Sequence, residues 1–64
     1  IFEEKLEKYN VARNDWYEVS EYGGSSIAEL WAETGTAIDM KIPIPGNIKK
    51  AFIKTLNDAG FDYP

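Results

Sequence analysis

The chain has 64 residues, with seven basic and eleven acidic side chains, a net charge of −4, and neither cysteine nor histidine. Those two absences exclude disulfides, a thiol nucleophile, an imidazole base with its Ser-His-Asp triad, and any Cys/His metal cluster. The acidic balance argues against a phosphate-gripping nucleic-acid module, whose affinity comes from clustered Lys and Arg. No apolar run approaches the ~20 residues of a membrane-spanning helix. Neither nucleic acid nor a membrane is therefore an expected partner.

A chain this short makes one domain at most and buries only about 60% of the surface its unfolded form exposes. Nine aromatic side chains offset that: Phe2, Tyr9, Trp16, Tyr17, Tyr22, Trp31, Phe52, Phe61 and Tyr63. Each can bury about 150–250 Å². They suffice for a small core, or for a core plus a partner-facing patch. Residues 1–64 read as a single small domain or as the C-terminal fragment of a larger one, since the sequence opens at Ile1 without a methionine.

Residues 2–9 read as a helix, with Phe2, Leu6 and Tyr9 recurring at i, i+4 and i+7 and Glu4 paired with Lys8 on another face. Residues 10–15 are polar and turn-prone. Residues 16–22, WYEVSEY, alternate loosely and are rich in aromatics, which suits a short strand closed by Gly23 and Gly24. Ser26 with Glu29 three residues on is a capping-box pattern and opens the next helix. There Ile27, Leu30, Trp31 and Thr34 form one stripe, with Glu29 and Glu33 on the opposite side. Gly35 is the expected stop.

Residues 37–45, AIDMKIPIP, read as extended, because Pro43 and Pro45 forbid a helix interior. Asn47 is the expected cap of the last helix. Its stripe is Ile48, Ala51, Phe52, Thr55, Leu56 and Ala59, Gly60 is its stop, and Phe61 is placed to pack on Leu56. The fold expected is mainly α, three short helices with one or two extended segments. An α+β arrangement is the alternative if residues 16–22 and 38–44 pair.

Little chemistry is left for side chains. Gly23-Gly24 before a helix start lacks the lysine of a phosphate loop, and Lys49, Lys50 and Lys54 read as a solvated helix face. Glu29 and Glu33 at i, i+4 fit a cap with a solvated neighbour, and equally a pair of carboxylates aimed at a cleft. Trp16, Tyr17 and Trp31 are the candidate partner-binding aromatics.

The wider phrase, Ser20-Glu-Tyr22, a polar helix cap, then Ala28-Glu-Leu-Trp-Ala-Glu33, resembles the third-ligand segment of gluzincin-type zinc metallopeptidases. The likeness is to domains of the anthrax lethal factor kind, of phage head-morphogenesis (MuF-like) proteins and of mobile-element toxins, over about residues 19–59. It implies that Glu29 is the zinc-ligand glutamate, Tyr22 a site-lining tyrosine and Glu33 a supporting carboxylate, with residues 46–60 as the closing helix. The sequence leaves the compartment open, with a cytoplasmic or virion-associated setting as the expectation. Two departures stand out: Thr34-Gly35-Thr36 replaces the family's usual Ala-Phe continuation, and the His-Glu-x-x-His helix is missing. Since a catalytic zinc takes three protein ligands, the chain is expected to be non-catalytic on its own and to hold no cofactor. Zinc is implied only if a longer parent chain completes the domain. The expected partner is then the remainder of that parent chain. The alternative is a small acidic helical module that binds another protein, or a second copy of itself.

Overall fold

The structure, a computed structural model, describes residues 1–61; Tyr63, counted above among the core-forming aromatics, lies outside the described residues. Three α-helices make the frame: α1 (Phe2–Lys8), α2 (Ile27–Asp39) and α3 (Gly46–Asp58). Two 3₁₀ turns, Arg13–Glu18 and Tyr22–Gly24, fill the connection from α1 to α2. The mainly-α expectation holds, and no strand occurs among the described residues.

Each helix contributes one ring to a central aromatic trio. Phe2 of α1 meets Trp31 of α2 edge-on at 5.0 Å between centroids and Phe52 of α3 at 6.2 Å, while Trp31 and Phe52 lie 4.2 Å apart. Contacts of this kind contribute about 0.5–1.5 kcal/mol each beyond the area they bury. Leu6, Leu30, Ile48 and Ala51 close the core around the trio, and Leu30, Ile48 and Ala51 are fully buried. Lys5 clamps the outer edge, its ammonium 3.0 Å from Asp58 at the end of α3.

All three helices end alike. Asn10, Lys41 and Gly60 take positive φ values of 58°, 58° and 95°. In each case the next residue's N–H reaches back to the carbonyl five positions earlier: Val11 to Leu6, Ile42 to Ala37 and Phe61 to Leu56. This is the Schellman arrangement, which satisfies carbonyls that the helix leaves open. The Gly60 stop thus falls where expected, although Phe61 keeps 65% of its surface exposed.

Four local expectations are corrected. Residues 16–22 are not a strand: the two 3₁₀ turns pack on each other, and the second rests on α2. Helix α2 does not stop at Gly35 but runs to Asp39. A Cβ on Gly35 would come within 3.3 Å of the Phe52 ring, so this glycine lets α3 approach and does not cap. Consequently residues 37–39 are helical, and only 42–45 lack regular structure. Finally, α3 opens at Gly46 behind Pro45, whose carbonyl accepts from Lys49 N–H at 3.1 Å. Asn47 therefore sits inside the first turn, its Oδ1 taking the Ile48 N–H at 2.9 Å.

Candidate functional site

The site that the sequence points to lies at the start of α2. Ser26 is extended, and its hydroxyl accepts the Glu29 N–H at 3.2 Å, as an N-cap should. The reciprocal half of the capping box is not formed. Glu29 is exposed, and among the described residues its carboxylate has no hydrogen bond or ion pair. An acidic side chain in the first turn nonetheless suits the positive end of the helix.

Glu33, one turn on, is different. It is half-buried, and its Oε1 accepts a hydrogen bond from the Ser20 hydroxyl at 2.9 Å. The same Ser20 oxygen accepts the Gly23 N–H at 2.9 Å. Glu33 is therefore not the solvated neighbour that its helical angle allows. It is the anchor of a relay, Gly23 N–H to Ser20 to Glu33, that pins the second 3₁₀ turn to α2. Ser20 had no role from sequence beyond its place in the resembling phrase. A serine three residues before a buried glycine was the only available signal.

The two glycines explain how the segment fits. Both are buried. A Cβ on Gly23 would stand 3.0 Å from the Trp16 carbonyl oxygen, and one on Gly24 would stand 2.1 Å from the Tyr17 ring. The chain thus folds over itself with side-chain-free backbone at the crossing. Tyr22, between Ser20 and the helix, turns outward and is 71% exposed, while its carbonyl accepts from the Ser25 hydroxyl at 2.7 Å.

The three candidate binding aromatics separate. Trp31 is half-buried within the aromatic trio. Trp16 is half-buried against the core and covered by the Arg13 guanidinium at 4.1 Å. Tyr17, 57% exposed, lies over Gly24 with Arg13 at 5.9 Å from its ring. Among the three, Tyr17 presents the most surface.

A zinc ion can be tested against these residues. No group of three His, Cys, Asp or Glu side chains among the described residues is placed to hold a metal. Glu33, the nearest carboxylate in sequence on the helix, is committed to Ser20. Glu29 alone is one donor where a zinc site needs three or four, so these residues do not make a zinc site by themselves.

No helix among the described residues is long and apolar enough to cross a membrane. No protein-family model, curated protein or solved structure matches the chain.

Proposed function

We propose that the chain is a ligand-bearing, non-catalytic segment of a gluzincin-like metallopeptidase domain of phage or mobile-element type, either its C-terminal piece or a copy that has lost the chemistry. The observation that carries this reading is the contrast between the two glutamates of α2. Among the described residues Glu29 is exposed and without a partner, whereas Glu33 is tied to Ser20 at 2.9 Å. The Glu29 carboxylate does not reach back to its own cap, which leaves it open to solvent. The relay through Ser20 and Gly23 gives Glu29 a fixed helix start to stand on, with Tyr22 exposed on the turn just before it. No hydrolytic step is assigned to this chain, since the histidine ligands and the general base would have to come from outside it.

The test has two parts. Zinc titration of the isolated chain by calorimetry should give the same weak response for the parent sequence and for Glu29→Gln. Tight binding abolished by that substitution would contradict the reading. The gene supplies the second part: an upstream His-Glu-x-x-His in frame is expected, and a short frame opening near Ile1 would sink the C-terminal-piece version.

A second reading, a small acidic module that binds another protein, is favoured by the outward-facing Tyr17 and Tyr22. In that case Tyr22→Ala would remove partner binding without lowering stability, Tyr17→Ala would weaken both because its ring packs over Gly24, and Glu29→Gln would leave partner binding unchanged.

A further inference from the structure

A different face of the molecule carries its own signal. At 100° per residue, Ile48, Ala51 and Phe52 turn α3 inward to the core, and Gly46, Lys49, Lys50, Ile53, Lys54 and Asn57 fall on the opposite side. With Tyr9 of α1 they line a groove of about 370 Å³. Ile53 and Tyr9 are half-buried and form its apolar floor, while Lys49, Lys50 and Lys54 are exposed at its rim. The Lys50 and Lys8 ammonium groups stand 5.7 and 5.8 Å from the Tyr9 ring centroid, so cations flank the aromatic. A Cβ on Gly46 would meet nothing within 4 Å, which leaves the groove open where the helix starts.

The charge distribution gives this groove a preference. Three lysines less Asp58 leave α3 at +2 in a chain of −4, so the rest of the molecule carries −6. Gly46, Lys50, Ile53 and Asn57 follow each other at i, i+4, i+7 and i+11 and so share one face of α3, with Ile53 as its apolar member. A nucleic acid suits this face poorly. Its charges run along its whole length while the chain outside α3 carries −6, and α3 has no arginine to grip phosphate in two places. A short acidic helix puts its few carboxylates along one edge and its apolar side chains on another.

We propose that the α3 groove seats an acidic amphipathic helix of a partner protein, with apolar side chains over Ile53 and Tyr9 and carboxylates beside Lys49 and Lys50. The proposal does not depend on the metallopeptidase reading, because Glu29 and Ser20 take no part in it.

The experiment is fluorescence anisotropy with a labelled peptide of about 15 residues carrying leucine and glutamate at helical spacing. Controls are the same peptide with lysine for glutamate, the same peptide with serine for leucine, and a single-stranded oligonucleotide. The chain is tested as it stands and as the double variant Lys49→Glu, Lys50→Glu, both positions being exposed. Circular dichroism verifies that the variant is folded. Saturable binding of the glutamate-leucine peptide is expected, weakened about tenfold or more by the double variant and weakened again on going from ~0.05 to ~0.5 M salt. Four results would overturn the proposal: no binding of that peptide, equal binding by the folded double variant, equal binding of either control peptide, or tighter binding of the oligonucleotide.

Discussion

The Ser20 hydroxyl lies 2.9 Å from Glu33 Oε1 and takes the Gly23 N–H on the same oxygen at 2.9 Å, so one small side chain joins the irregular segment to helix α2. Hydrogen bonds to a charged partner contribute about 1.5–3 kcal/mol when partly shielded from water. Ser20→Ala should therefore cost about 1–2 kcal/mol in urea unfolding, and Glu33→Gln less, because the amide oxygen can still accept. In a double-mutant cycle Ser20→Ala and Glu33→Ala should be non-additive by about 0.5 kcal/mol or more. Strict additivity would mean that the relay does not hold the turn in solution.

Thr34 is fully buried, and among the described residues its hydroxyl has no hydrogen-bond partner. Thr36 and Thr55, by contrast, donate to the carbonyls of Ala32 and Ala51 at 3.0 and 2.7 Å. A buried hydroxyl left unpaired costs about 1–3 kcal/mol, and valine has nearly the same shape. Thr34→Val is expected to raise stability by up to about 1 kcal/mol, because it removes the unpaired hydroxyl while the β-branched shape and packing stay the same. Destabilisation on thermal melting would show that the hydroxyl is satisfied in solution.

Lys41 holds φ at 58° to complete the Schellman turn after α2. The left-handed region costs a side-chain-bearing residue about 1 kcal/mol, and glycine nothing. Lys41→Gly should stabilise the chain by about 0.5–1 kcal/mol despite the added freedom of the unfolded state. The equivalent change at Asn10, also at 58°, should give less, since asparagine tolerates that conformation better.

Asp58 faces two lysines, Lys5 at 3.0 Å and Lys54 at 3.3 Å. Their hydrogen bonds, Lys5 first, hold its carboxyl below the ordinary 3.8. Because the folded value is the lower one, the pairing favours the fold above the unfolded carboxyl range near pH 3.9, and that contribution fades as pH falls through the folded value. Asp58→Asn should therefore lower Tm slightly at neutral pH. The two melting curves should draw together in acid, and the difference should shrink with salt, as for an exposed pair. A difference independent of pH would assign the effect to helix packing.

Local rules made much of this molecule legible in advance. The stripes of α1 and α3 and the stop at Gly60 depend on neighbours three or four residues apart, and the Ser26 cap depends on one such contact, so periodicity and capping chemistry suffice for them. The capping-box pattern places Glu29 on the first turn correctly, but it also expects the carboxylate to reach back to the cap, and that bond does not form. Three features depended on contacts across the fold. WYEVSEY has the composition of a strand, yet it contributes to two 3₁₀ turns that pack on each other where Trp16 and Tyr17 cross Gly23 and Gly24. Gly35 has the chemistry of a stop, yet it lies inside α2 because Phe52 needs that space. Glu33 shares a face with Glu29, and only the approach of Ser20, thirteen residues earlier, separates a held carboxylate from a free one. The sequence by itself determined which faces are apolar and where α1 and α2 begin, through short-range hydrogen bonding and a 3.6-residue period. Tertiary structure decided which glycine is a contact and which carboxylate is free, because those depend on partners that sequence spacing does not bring together.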